Sequence, residues 1–167
     1  MATATANLTF AQFQEQYRNS DRAYEFWYGE AIPKGMPTWM HGLLQKIIMK
    51  LLDEAGYDSA SDVELRIDLQ ARPRPDVIAA KRKPNGLYPT EAVEVVVEIL
   101  SQDDSYRHLK DKARKYQEWG CASIFVVDPS DRSVAQWKDG AFLPVTVLAG
   151  VESSRIWQEL DLRYPPA

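Results

Sequence analysis

The segment that most constrains the fold of this 167-residue chain is a valine-rich run from Glu94 to Leu100. An apolar run of this length is typical of a strand that is buried on both faces, so we expect it near the centre of a sheet. Helical periodicity follows over residues 104–119 and ends at Gly120. Residues 123–127 are again apolar and predict another buried strand.

The preceding part of the chain supplies the other core elements. Apolar residues recur with a 3.6-residue period over residues 39–55 and stop at Gly56, which predicts an amphipathic helix. Strict alternation over residues 63–69 predicts a strand with one solvated face, and residues 75–80 predict a shorter one. The core order is then helix, three strands, helix, strand. We therefore predict a mixed α/β fold in which a sheet is flanked by helices.

Further elements are predicted at both ends of this core. A capping box predicts a short helix over residues 9–17, and alternation over residues 24–28 predicts a strand that turns toward residues 31–32. Residues 134–147 are typical of a hairpin with its turn at Asp139-Gly140. Residues 1–7 are expected to be a loose end, and the whole chain is expected to form one domain.

Composition limits the class of protein. The chain is 45% hydrophobic and 26% charged, which is normal for a globular domain that needs no disulfide to support its core. Cys121 is the single cysteine and no apolar run approaches the roughly 20 residues of a membrane span, so we expect a soluble cytoplasmic protein. The net charge of −4 argues against a simple electrostatic nucleic-acid coat.

Three residues break the pattern of their own elements. Glu98 lies within the valine-rich strand, where an ionised carboxylate is costly to bury without a cation or donor. Asp76 lies at the start of the preceding predicted strand. If the two strands pair, the carboxylates of Asp76 and Glu98 point toward the same spot. Lys112 shares the inner face of the 104–119 helix with apolar side chains. Functional residues are expected where such patterns break.

Two acids and one lysine on a rigid sheet suit a divalent cation. Carboxylate oxygens bind Mg²⁺ while water completes its octahedron, and a lysine would position an attacking water or help to deprotonate it. We therefore expect Asp76 and Glu98 to hold Mg²⁺ or Mn²⁺ beside Lys112. The matching reaction is phosphodiester hydrolysis.

The order and spacing of several short motifs resemble a known family, the Uma2 group within the PD-(D/E)XK nuclease superfamily. The similarity extends from about Leu8 to Leu148. Its motifs are Leu8-Thr9-Phe10, Tyr24-Glu25 with Gly29-Glu30, His41, Pro75-Asp76-Val77, Val97-Glu98-Ile99-Leu100-Ser101, Lys112 with Tyr116, and Val126-Val127-Asp128-Pro129.

The resemblance implies a metal-dependent nuclease with an α/β fold, a restriction-endonuclease-like mixed sheet flanked by helices, in which Asp76 and Glu98 hold the ion. In the ordinary superfamily motif the lysine lies two residues after the acid, where this chain has Leu100. In this group the following helix supplies the lysine, which fits Lys112. Supporting positions of the group are matched by Glu25, His41 and Tyr116. The group usually has Ser-Pro after the acid where this chain has Ser101-Gln102, so the start of the lysine helix is expected to shift.

Structural alternatives stand beside each of these roles. Glu98 and Lys112 would serve equally well as a salt bridge, and Asp76 as the residue that shapes the start of a strand. His41 would suit a helix start, and Glu25 a surface strand. A basic cluster is expected either to contact DNA phosphates or to be a solvated loop; it consists of Arg72, Arg74, Lys81, Arg82 and Lys83.

The main hypothesis from the sequence is that the protein is a Mg²⁺-dependent endonuclease that acts on DNA. A homodimer is plausible because cutting both strands requires two sites. A second hypothesis is a nuclease-fold binding module without efficient cleavage, which the acidic charge and small size favour. A third is an enzyme for another phosphodiester or a small molecule.

Overall fold

The structure is a computed structural model that describes residues 7–164. The helices are α1 (Phe10–Tyr17), α2 (Trp39–Glu54), α3 (Tyr106–Trp119) and α4 (Ser153–Arg163). The strands are β1 (Tyr24–Trp27), β2 (Glu30–Pro33), β3 (Asp58–Ser61), β4 (Ala71–Arg72), β5 (Val77–Ala80), β6 (Val95–Ile99), β7 (Ser123–Asp128), β8 (Ser133–Lys138), β9 (Ala141–Pro144), β10 (Val147–Leu148) and β11 (Val151–Glu152).

The main sheet has six strands in the order β3-β5-β6-β7-β8-β9. It is mixed, because β6 and β7 are parallel while the other neighbours are antiparallel. The valine-rich strand β6 lies in the interior of this sheet, as its sequence predicts. The predicted core order of helix, three strands, helix and strand is confirmed by α2, β3, β5, β6, α3 and β7.

Both faces of the main sheet are covered by helices. Helices α2 and α4 pack on one face and bury the residues Leu44, Ile47, Ile48, Leu51, Leu52, Ile156 and Leu160 against it. Helix α3 packs on the other face through Ala113 and Tyr116, against Ile78, Val96 and Ile124. The predicted mixed α/β architecture is therefore confirmed, and side chains on the α3 face of β5 and β6 point toward α3.

A small second sheet in the order β2-β1-β4 lies beside this face. Helix α1 packs on it, with the rings of Phe13 and Phe26 5.3 Å apart. The predicted capping box at the start of α1 is present, since the Thr9 hydroxyl accepts a hydrogen bond from the backbone N–H of Gln12. This sheet brings β1 close to α3.

The alternating segment 63–69 is not a strand, and that prediction is wrong. The backbone N–H of Leu65 donates to the Pro73 carbonyl instead of entering a ladder. Leu65 is 0% exposed while Leu69, on the same expected face, is 76% exposed. In place of that segment, the core strand before β5 is β3, whose Asp-Ser-Ala-Ser sequence has little β propensity. It forms because it pairs along the whole length of β5.

The ends of the other elements match the sequence closely. The predicted hairpin turn is present at Asp139 and Gly140, both with positive φ. Helix α3 begins after the N-cap Ser105, slightly later than predicted. Helix α4 has no counterpart among the predicted elements. Among residues 7–164, no helix has the length and apolar character needed to cross a bilayer. The expected loose end lies outside the described residues except for Asn7.

Candidate active site

A pocket of about 460 Å³ opens between the two sheets and the start of α3. Its lining includes all of the acids and the lysine that the sequence singles out as breaking their patterns. Among the residues that line it are Glu25, Lys34, His41, Asp76, Glu98, His108 and Lys112.

The pairing of β5 with β6 places two carboxylates side by side. Val77 lies opposite Val97, so the next pair outward is Asp76 and Glu98, on the α3 face of the sheet. Asp76 is only 4% exposed and Glu98 only 5%. Asp76 is fixed across the strands, because its Oδ2 accepts a hydrogen bond from the backbone N–H of Ile99 at 2.7 Å. The strand pairing thus does what the sequence predicts for these two residues.

Lys112 points from α3 into the same place. Its Nζ lies 2.8 Å from Glu98 Oε1 and 3.2 Å from each oxygen of Glu25. Burial opposes the charge on Lys112, but Glu25 and Glu98 outweigh it and raise the pKa of the ammonium above its usual value. Lys112 therefore remains protonated at neutral pH. Lys112 thus forms the salt bridge with Glu98 that the sequence offers as a structural alternative to a catalytic role. The observed geometry is compatible with either role.

The three supporting residues also meet at this point. Tyr116 donates a hydrogen bond from its hydroxyl to Glu98 Oε1 at 2.8 Å. His41 Nε2 lies 3.1 Å from Asp76 Oδ1. Glu25 is 2% exposed, so it is not a surface residue, and burial alone would raise its pKa. Lys112, His108 and Lys34 more than offset that effect and hold the pKa of Glu25 well below its usual range.

Two further pocket residues, Lys34 and His108, and one residue that supports Asp76, Gln45, are not among the residues that the sequence singles out. Lys34 Nζ lies 3.2 Å from Asp76 Oδ1, and His108 Nε2 lies 3.4 Å from Glu25 Oε2. The Gln45 side-chain amide donates to the backbone carbonyl of Asp76 at 3.0 Å. Gln45 had a sequence signal, because it is a polar residue on the apolar face of α2 one turn after His41. Lys34 and His108 had no such sequence signal, since their contacts with Asp76 and Glu25 depend on how the sheet β2-β1-β4 packs against α3 and the main sheet.

The basic cluster is not part of this pocket. The Arg72 guanidinium stacks 3.7 Å from the centre of the Phe10 ring. Arg74 contributes backbone contacts, donating its N–H to Glu25 and accepting from Lys34. The remaining three basic residues, 81–83, follow the opposite end of β5 from Asp76. None of the five lines the pocket within the described part of the chain, so contact of this cluster with phosphate stays a prediction.

The pocket offers carboxylate oxygens to a cation. Three buried carboxylates face two ammonium groups and the imidazoles of His41 and His108, and burial together with Asp76 and Glu25 raises the pKa of Glu98 despite the nearby Lys112. Across residues 7–164 no hydrogen bond reaches Glu98 Oε2. Also within that range, no group of three or more His, Cys, Asp or Glu side chains is arranged to hold a metal ion. The donor set fits a hard ion held by two carboxylates and water, as Mg²⁺ commonly is.

A glycine at the rim of the pocket provides a stability prediction. A Cβ added at Gly35 would lie 2.3 Å from Ser101 Oγ and 3.0 Å from Ser101 Cβ. The hydroxyl can rotate away, but the Cβ can move only with its backbone. We therefore expect Gly35→Ala to lower the free energy of unfolding by about 1–3 kcal/mol, measured by urea denaturation.

Gly42 is the matched control for that change. It lies inside α2, and nothing lies within 4 Å of an added Cβ. Gly42→Ala should raise the free energy of unfolding by about 0.5–1 kcal/mol, because alanine has the higher helix propensity. Equal effects of the two substitutions would show that the contact between Gly35 and Ser101 is not tight.

Comparison with known proteins relates most of the chain to one family and one fold. Residues 10–161 match the Uma2 family, described as "Putative restriction endonuclease". A crystal structure described as a "putative nuclease belonging to DUF820", from Anabaena variabilis, superposes with a TM-score of 0.74 at 17% sequence identity. The match covers 92% of this chain and 99% of that one, and it shows that the two share a fold.

Two other comparisons add little. A cryo-electron microscopy structure of a DrdV–DNA complex is 17% identical over 71% of this chain and 10% of that chain. Its TM-score of 0.39 is too low to bear on fold or function. Comparison with curated proteins finds no match.

Proposed function

The chain belongs to the Uma2 family of restriction-endonuclease-like proteins, and from this premise we propose that it is a divalent-metal-dependent endonuclease that hydrolyses phosphodiester bonds in DNA. One observation carries the proposal. Asp76 and Glu98 lie side by side at the end of two paired strands, with the Lys112 ammonium 2.8 Å from Glu98.

Asp76 and Glu98 would hold the ion, which is Mg²⁺ or Mn²⁺. Both offer oxygen ligands at the pocket, through Glu98 Oε2 and the Asp76 Oδ1 that His41 and Lys34 contact. A divalent cation bound there would acidify a water molecule and stabilise negative charge on the phosphate. Catalysis at such a site depends mainly on positioned charge.

Lys112 would act as a positioned cation. Hydrolysis joins a water oxygen to phosphorus and breaks one ester P–O bond, and the leaving sugar oxygen takes up a proton. Since Glu25 and Glu98 keep Lys112 protonated, its positive charge would help to orient the water and to stabilise charge on the phosphate. The same protonation argues against Lys112 as the base that deprotonates the water.

Glu25, His41 and Tyr116 would keep these groups in place. Glu25 neutralises Lys112, the Tyr116 hydroxyl fixes one oxygen of Glu98, and His41 fixes one oxygen of Asp76. Each contact restricts a side chain that would otherwise be free to turn. Preorganisation of this kind is what electrostatic catalysis requires.

The broader setting follows from the same proposal. A homodimer would supply the two sites needed to cut both strands of DNA, and the basic cluster would contact backbone phosphates away from the pocket. The buried, unpaired Cys121 suits a reducing cytoplasm.

A plasmid assay tests the proposal directly. The purified protein should convert supercoiled plasmid to nicked circles with Mg²⁺ or Mn²⁺, and EDTA should abolish the conversion. Nicking that survives EDTA, or no nicking with either ion across a range of DNA substrates, would reject the proposed activity.

A second candidate function is a nuclease-fold binding module that does not cut. The acidic side chains that also line the pocket favour it, because they repel phosphate, and these are Glu30, Asp103, Asp104 and Asp111. Calorimetric titration with Mn²⁺ separates the two functions. A protein that binds DNA or a partner but has no affinity for Mn²⁺ near neutral pH would be the module.

A further inference from the structure

Lys34 is the least expected charge in the pocket. It follows β2 directly, and its side chain is 14% exposed. The sheet β2-β1-β4 brings it to Asp76. Asp76 is already contacted on the same oxygen by His41, so the ammonium of Lys34 is a second partner for one buried carboxylate.

The Lys34 ammonium is surrounded by oxygen atoms of three residues. Asp76 Oδ1 lies 3.2 Å from Nζ and Asp62 Oδ1 lies 3.6 Å from it, while the Arg74 carbonyl accepts a short hydrogen bond. Two carboxylate oxygens and a backbone carbonyl are the ligands that hard divalent ions take. The ammonium therefore stands where a cation with oxygen ligands would stand.

The neighbouring residues tie this position to the metal site. Asp76 is common to both, since it contacts Lys34 and lies beside Glu98 in the strand pair. Gln45 bridges the carboxylate of Asp62 and the backbone carbonyl of Asp76. Burial disfavours the charge on Lys34, but Asp76, Glu25 and Glu98 outweigh it and raise the pKa of the ammonium. Lys34 is thus a permanent cation next to the proposed ion.

We propose that Lys34 is a tethered cation in a second cation position of this pocket, so that the protein binds one divalent ion where a two-metal nuclease binds two. This inference rests on the proposed function. In two-metal sites the ions stabilise the attacking and leaving oxygens together. Here one of those charges is covalently attached to the chain, and an N–H of Lys34 that Asp62 holds only loosely would face a phosphate oxygen.

The proposal predicts a change in metal stoichiometry. Removing the ammonium in Lys34→Ala frees Asp62, Asp76 and the Arg74 carbonyl for an ion. Titration of the full chain with Mn²⁺, followed by calorimetry and by electron paramagnetic resonance without DNA, should give one ion in the wild type and two in Lys34→Ala. Adding Asp62→Asn to Lys34→Ala should return the count to one.

Controls separate this inference from the proposed function. Lys50→Ala removes a lysine that pairs with Glu159 outside the pocket, and it should keep one ion. If Lys34→Ala does not fold, Lys34→Gln removes the charge but keeps a polar side chain whose amide oxygen can itself serve as a ligand, and it should also bind two ions. One ion in a folded Lys34 variant would overturn the inference and leave the proposed function standing. No ion in the wild type would overturn both.

Discussion

Asp76→Asn is expected to reduce metal-dependent plasmid nicking by about a thousandfold, the scale of losing a charged group that stabilises a transition state. Asparagine has the same shape, and its carbonyl can still accept the Ile99 N–H that fixes Asp76. The amide lacks the negative charge that would hold the ion and that faces Lys34. The rate of nicked-circle formation at saturating Mn²⁺ measures the loss.

A second aspartate provides the control for this variant. Asp68 also accepts backbone N–H groups, from Gln70 and Ala71, and pairs with Lys115, but it lies outside the pocket. Asp68→Asn should nick at the wild-type rate. Circular dichroism must show that Asp76→Asn is folded, and a folded variant with full activity would remove Asp76 from the proposed site.

Lys112→Met is expected to have the largest effect on stability. Methionine has a similar length, so the change removes the ammonium and leaves Glu25 and Glu98 buried without it. Breaking a buried ion pair on one side costs about 3–5 kcal/mol. Lys50→Met, at an exposed pair with Glu159, should cost about 1 kcal/mol or less. Urea denaturation near pH 7 measures both values.

The cost of Lys112→Met should depend on pH in a fixed direction. In the wild type the pKa of Glu25 is lowered on folding, so its contribution to stability is present above its ordinary pKa and is lost as the pH falls. In the variant, protonated Glu25 and Glu98 need no cation. The difference in stability between wild type and variant should therefore shrink between pH 7 and about pH 4. A difference that is constant over this range would contradict the ion-pair account.

Local patterns were sufficient to predict the centre of the site. The register of two apolar strands determines that Asp76 and Glu98 are neighbours, and helical periodicity puts Lys112 on the inner face of α3. These relations depend on residues close in sequence or on adjacent strands. They survive even though the segment 63–69 was wrongly predicted as a strand, because β3 takes its place beside β5.

Contacts between the two sheets could not be predicted in the same way. Lys34 and His108 reach the carboxylates only because the sheet β2-β1-β4 docks against α3 and the end of β5. That docking joins parts of the chain with no shared periodicity. The basic cluster shows the converse, since its residues are close in sequence but lie at opposite ends of β5, and of the five only Arg72 is part of a strand.

Anomalous diffraction from crystals soaked in Mn²⁺ tests the central claim most directly. We expect one anomalous peak within coordination distance of oxygens from both Asp76 and Glu98, with Lys34 next to Asp76 and Lys112 next to Glu98. A well-occupied peak elsewhere, or a pocket that stays free of Mn²⁺ while the lysines keep their ion pairs, would contradict it.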